Sequence, residues 1–148
     1  MKLIIGLVLA AAGLTMSCSV TGEPIEFSKA CAIENDGKNF EVKGVIAQQG
    51  RSVFCSNTGG RMECGFDLLE STASSNKLRI DIEQGSGSNT VSKLESGYEK
   101  EDIKIRDNSG AEVALEKDIV KLTGKISVAP AAPGGQGVCF MQVRKIER

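Results

Sequence analysis

The sequence predicts a small all-β barrel or sandwich, and three observations predict it. Apolar and polar residues alternate over 39–46, 77–84, 118–128 and 138–147, the period-two pattern of strands with one buried and one wet face. Clusters of Gly, Asn, Asp and Ser separate these runs and supply turn chemistry. Helical spacing occurs in at most one short stretch, so helix is a minor element.

The chain opens MKLIIGLVLAAAGLTMSC, one lysine followed by an apolar run from Leu3 to Leu14. About a dozen apolar residues fill the core of a secretory signal but are too few to span a bilayer of roughly 30 Å comfortably. Residues 1–17 are therefore read as a signal peptide. The segment LTMSC resembles a bacterial lipobox, in which the cysteine after the cut is acylated and becomes the first residue of the mature chain. Thr15 stands where that pattern usually has leucine. The alternative is ordinary signal cleavage with Cys18 left as a stray thiol. Of the five cysteines, setting Cys18 aside leaves Cys31, Cys55, Cys64 and Cys139, an even set suited to disulfides in an oxidising compartment. Two or three acyl chains of the palmitate class would hold the protein firmly, at about 0.8 kcal/mol per buried CH₂.

Residues 18–23 read as a short polar tether, and residues 24–148 as the folded domain. The mature chain keeps 17 Lys and Arg against 19 Asp and Glu, is mildly acidic, and at about 130 residues is long enough for one real core. Residues 24–34 group Phe27, Ala30, Cys31 and Ile33 at loosely helical spacing, which predicts a short N-terminal helix ended by Asn35, Asp36 and Gly37. The first strand follows over 39–46, with Phe40, Val42, Gly44 and Ile46 on one side, and a bend at 48–51 carries it towards Val53. MECGFDLLE at 62–70 is the second strand and KLRIDIEQ at 77–84 the third. GSGSNT at 85–90 reads as a flexible loop, and residues 92–102 are too polar to assign. DIKIRDNSGAEVAL at 102–115 predicts an accessory hairpin turning at Asp107–Gly110. Strands over 118–128 and 138–147 flank APAAPGGQG, a second loop free of bulky side chains.

FCSNTGGRMECGF, residues 54–66, predicts a stapled hairpin. A two-residue turn at Gly59 and Gly60, where positive φ is free of Cβ strain, pairs Thr58 with Arg61, Asn57 with Met62, Ser56 with Glu63 and Cys55 with Cys64. Pairs alternate outward from the turn, so the cysteines face each other at a non-hydrogen-bonded site, about 4.5 Å apart at Cα, and can form a disulfide. The same register sets Val53 beside Phe66. Structural zinc brings cysteines as C-x₂₋₄-C pairs and catalytic redox centres as C-x-x-C, and neither pattern is present. By elimination Cys31 pairs with Cys139, one of three connectivities.

Taken together, SKACAIENDGKNFEVKGVI at 28–46, DIVKLTGKISV at 118–128 and CFMQVRKIE at 139–147 resemble the OB-fold proteins of the tRNA-anticodon-binding-like kind found among bacterial secreted lipoproteins. The resemblance implies a five-stranded OB-like Greek-key barrel, with Gly44 and Gly124 where strands coil sharply. The accessory hairpin departs from a simple barrel. OB folds bind oligonucleotides or oligosaccharides on the face of strands two and three, which makes Phe54, Arg61, Lys77 and Arg79 the candidate ligand-binding residues.

Composition sorts the functions. Single-strand binding needs a basic groove and aromatic platforms; this chain has no Trp, one Tyr, five Phe and a net negative charge, which argues against nucleic acid as the partner. With no histidine, no G-x-S-x-G, no P-loop and no metal-ligand cluster, no catalytic residue, metal or cofactor is expected. The expected role is a non-catalytic, lipid-anchored binding or structural module of the envelope, whose partner is an envelope protein, a glycan or a small anionic or hydrophobic ligand. Ser19 is not the aspartate that retains lipoproteins at the inner membrane, so the expected location is the outer membrane, facing the periplasm.

Overall fold

The computed structural model describes residues 19–135 and 137–148, so the signal segment and Cys18 lie outside the described residues. Among the described residues the chain is all-β in class. Its strands are β1 (Glu23–Pro24), β2 (Asn39–Ala47), β3 (Cys55–Thr58), β4 (Arg61–Leu69), β5 (Lys77–Glu83), β6 (Ile105–Arg106), β7 (Glu112–Val113), β8 (Ile119–Ala129) and β9 (Val138–Glu147).

Seven strands form one mixed sheet in the order β1-β2-β8-β9-β5-β4-β3, and a further pairing of β2 with β4 returns the hydrogen-bonded path to β2. β2 makes both connections. Asn39–Val45 runs antiparallel to β8, and Val45–Ala47 runs antiparallel to Leu69, Leu68 and Asp67 of β4. Gly44 sits at the changeover, where a Cβ would stand 2.4 Å from the Leu69 carbonyl oxygen, so only glycine lets the two strands meet there. β5 and β9 run parallel, Arg79 opposite Phe140 and Asp81 opposite Gln142.

The alternating faces fall as the sequence requires. Val42, Ile46, Phe66, Leu68, Ile80, Ile82, Leu122, Ile126 and Met141 are fully buried in one core. In β9 the parity breaks: Val143 pairs with Gly124 but Lys145 with Thr123, a bulge that leaves Arg144 as the extra residue. That extra residue is why Val143 and Ile146, three apart, both reach the core.

The predicted hairpin forms with the register read from its turn. Cys55 pairs with Cys64, Ser56 with Glu63, Asn57 with Met62 and Thr58 with Arg61. Gly59 and Gly60 have φ of 59° and 85°, the left-handed values of a type I′ turn. The Cys55–Cys64 disulfide spans 4.0 Å at Cα, and Cys31–Cys139 closes a separation of 108 residues. The strand ladder stops at Cys55–Cys64, so Val53 is not paired with Phe66. β2 likewise ends at Ala47, and the chain turns at Gly50 before β3.

The short helix expected over 24–34 is corrected to two single 3-10 turns, Phe27–Lys29 and Ile33–Asn35. The apolar spacing was too irregular to give a helix a continuous buried stripe: Ala30 is buried, but Ile33 is 57% exposed. Asn35 closes the segment by donating from Nδ2 to the Lys29 carbonyl at 2.8 Å, competing with helical backbone bonds.

Between β5 and β8 the chain folds over the side of the sheet where β2 and β9 end. It adds Val91, Ile103, Ile105 and Val113 to the core. The Glu116 N–H donates to Ile46 at 2.8 Å, and the Asn108 N–H to Ile146 at 2.7 Å. The loop read as flexible, GSGSNT, is pinned by its own polar groups. Asn89, at a φ of 58°, accepts the Ile146 N–H on its side-chain oxygen at 2.8 Å. The Thr90 hydroxyl donates to the Gly87 carbonyl at 2.7 Å.

Asp107 locks the accessory hairpin formed by β6 and β7. Its buried carboxylate accepts from the Ser109 hydroxyl at 2.6 Å, the Ser109 N–H at 2.9 Å, the Ala111 N–H at 3.0 Å and Arg148 Nε at 2.9 Å. The Ser109 hydroxyl is the main cause that draws its pKa down to about 2, against an opposing effect of burial and with help from Arg148. Because the folded pKa lies below the unfolded one, this contribution to stability is complete above the unfolded value near 3.8 and is lost as pH falls towards 2. Asp107→Asn is expected to unfold more easily at neutral pH and to flatten the acid limb of the stability curve between those pH values. Urea titrations at several pH values check this, and an unchanged acid limb would remove Asp107 from the account.

Candidate functional site

The outward faces of β4, β5 and β9 carry a mostly polar field of side chains. Two cross-strand rows define it: Asp67, Arg79 and Phe140 in one, Gly65, Asp81 and Gln142 in the next. β4 places them by the same alternation that buries Phe66 and Leu68, since Glu63, Gly65 and Asp67 then point away from the core. At the centre Gly65 leaves a dip. Arg79 Nη2 and Asp81 Oδ1 lie 3.6 Å, and Gln49 Oε1 3.7 Å, from where a Cβ would stand.

The charged groups on this face bond to one another, either directly or, for Glu63 and Arg144, through Gln142. Lys77 Nζ lies 3.2 Å from Asp67 Oδ2, Arg79 Nε 3.6 Å from Asp81 Oδ1, and Arg61 Nη1 3.6 Å from Glu83 Oε2. Gln142 donates from Nε2 to both Glu63 carboxylate oxygens at 3.1 Å and accepts from Arg144 Nη2 at 3.2 Å. Glu63 and Asp67 are each 7% exposed, acids held under the canopy of these longer side chains. Four acids (Glu63, Asp67, Asp81, Glu83) oppose four bases (Arg61, Lys77, Arg79, Arg144). The face has no net charge and offers no basic track for a phosphate backbone.

Of the four residues predicted for binding, Lys77 and Arg79 lie within this field and Arg61 at its edge beside Glu83. Phe54 borders it: its carbonyl accepts the Gly65 N–H at 2.8 Å, and its side chain is 68% exposed. Sequence reasoning missed Glu63, Asp67, Gln142 and Arg144. The signal for the two acids was present in MECGFDLLE, where an acid-Gly-acid series alternates with the buried Cys64, Phe66 and Leu68. Nothing local announced Gln142, 79 residues from the Glu63 it bonds.

On the other side of the Cys55–Cys64 staple lies a groove of about 420 Å³, whose apolar wall is Val53, Met62, Leu94 and Tyr98. The Tyr98 hydroxyl accepts the Val53 N–H, joining the two loops that bound it. Among the described residues, no group of three or more His, Cys, Asp or Glu side chains could hold a metal ion. No helix among them is long and apolar enough to cross a membrane.

Fold and site together define a class: an all-β domain stapled by two disulfides, with a polar, self-paired sheet face edged by exposed phenylalanine. Comparison with protein-family models, curated proteins and solved structures finds no match for the chain.

Proposed function

We propose that this protein is a non-catalytic, lipid-anchored module of the bacterial cell envelope, built as a five-stranded OB-like barrel. One observation carries the reading. The four cysteines other than Cys18 pair off as Cys31–Cys139 and Cys55–Cys64, which fits an exported chain and leaves Cys18 for acylation. The barrel is supported by the closed path β2–β8–β9–β5–β4–β2 and by β5 and β9 running parallel inside it. A role in holding rather than reacting is supported by a face whose acids and bases balance in number and are bonded to one another or through Gln142.

The intact mass of protein extracted from membranes, with and without reductant, tests this reading. The expected result is a chain of residues 18–148 plus acyl groups, with four thiols appearing only after reduction. An unlipidated chain with free thiols would discard it.

A second reading, ligand binding on the face of β4 and β5, is favoured by one specific arrangement. Planar polar groups of Arg79, Asp81 and Gln49 surround the Gly65 dip, with the bonded pair Glu63 and Gln142 on the same face and Phe54 at its border. Hydroxyl-rich sugars can exchange hydrogen bonds with such groups and stack on the ring, whereas a nucleic acid would meet Glu63, Asp67 and Asp81. Labelled single strands are expected to migrate unchanged at low salt, and a glycan array is expected to give a signal that Arg79→Ala abolishes. Retarded strands would reverse the ranking.

A further inference from the structure

The tether does not leave the domain freely. Gly22 lies against the sheet, where a Cβ would stand 2.7 Å from the Phe40 carbonyl carbon and 2.9 Å from Thr123 Cγ2. β1 then runs parallel to β2, with Glu23 opposite Phe40, so the chain reaches it from the Asn39 side. Cys18 stands four residues before Gly22, a reach of about 14 Å at full extension. An anchor at Cys18 therefore holds one particular end of the domain at the membrane.

That end is marked by the second half of β8 and what docks on it. Gly37 donates to the Ile126 carbonyl at 2.8 Å, and the Val128 N–H donates to Asp36 Oδ1 at 2.8 Å. The Cys31–Cys139 disulfide joins the 3-10 turns to the start of β9 there. Two large apolar side chains within two positions of this disulfide are exposed, Ile33 at 57% and Val138 at 52%. The loop 129–137, which leads into Val138, contains no charged residue. Around them exposed Lys38 and Lys125 are balanced by exposed Glu34 and Asp36. Exposed apolar side chains here sit among charges that balance one another, with Lys29 paired to Glu26 as well.

From these observations, and resting on the proposed acylation of Cys18, the geometry points to a membrane-seated end. Ile33, Val138 and the uncharged residues 129–135 rest in the bilayer interface beside the anchor, and the lipid surface is what covers them. The shortness of the free tether selects the lipid surface as the occupant, because it keeps this end within reach of the headgroups. Apolar insertion of single side chains into the headgroup region adds to the acyl anchor without needing anionic lipid. Ile119 lies at the other end of β8, ten residues from Ala129 and so roughly 30 Å along the strand. Its side chain is 71% exposed, and it would stand away from the membrane.

The sequence contains no Trp, so one introduced indole reports alone. The full chain, expressed with its leader and recovered from membranes, is reconstituted in phosphatidylcholine vesicles carrying bromine on shallow acyl carbons. Ile33→Trp and Val138→Trp are each expected to lose roughly half of their fluorescence, as for side chains within 5–10 Å of the headgroup boundary. Ile119→Trp is expected to be unaffected. Two reporters at independent positions guard against one failing to fold. If both are quenched no more than Ile119→Trp while the intact mass shows acylated Cys18, the seating is wrong and the anchor stands. An intact mass without acyl groups would remove the anchor, and this inference with it.

Discussion

Replacing Cys31 and Cys139 together by alanine is expected to lower the free energy of unfolding by about 4 to 5 kcal/mol, the largest effect of any change considered. The bond closes a separation of 108 residues, nearly the whole folded chain, so it removes more freedom from the unfolded state than any local link. Replacing Cys55 and Cys64 is expected to cost about 2.5 to 3 kcal/mol, because the separation they close is only nine residues. Urea denaturation of both double variants measures the difference. A Cys31/Cys139 variant no less stable than the Cys55/Cys64 variant would show that the long link acts on the native state rather than on chain entropy. The long bond also ties the 3-10 turns to the sheet, so its loss should free the segment around Ile33 to exchange amide hydrogens faster.

Gly124→Ala is expected to destabilise the protein by about 3 kcal/mol. A Cβ there would stand 2.2 Å from the Gln142 carbonyl oxygen and 2.9 Å from its carbonyl carbon, so β8 and β9 would have to separate at the bulge. The obstruction is backbone, which cannot swing aside as a side-chain tip does. Gly44→Ala should behave similarly, for the same reason at Leu69. Gly87→Ala meets nothing within 4 Å and is expected to be nearly neutral. Comparable midpoints for Gly124→Ala and Gly87→Ala would contradict the packing described at the bulge.

The strands were legible because each is written locally. In KLRIDIEQ, Leu78, Ile80 and Ile82 all fall in the core as alternation requires, and in FCSNTGGRMECGF the two glycines set the hairpin register. The N-terminal helix was misread because Phe27, Ala30 and Ile33 look helical in spacing, while packing buries only Ala30 of the three. GSGSNT looked flexible because small polar residues usually are; here Asn89 and Thr90 spend their hydrogen-bonding groups on the fold itself. The candidate binding residues were half legible. Arg79 and Lys77 stand out on the wet face of a clear strand, but their acidic partners belong to a neighbour.

By itself the sequence determined the all-β class, the positions of the longer strands and the hairpin around Cys55–Cys64, since period-two alternation and turn chemistry act over a few residues, whereas β1 reads in the sequence as tether and helix. Only the tertiary structure decided that β2 divides its pairing between β8 and β4, that Arg144 is the extra residue of a bulge, and that Glu63 meets Gln142 across 79 positions. The physical reason is range. Which strands lie side by side depends on how several faces can be buried at once around a single core, and no window of ten residues contains that choice.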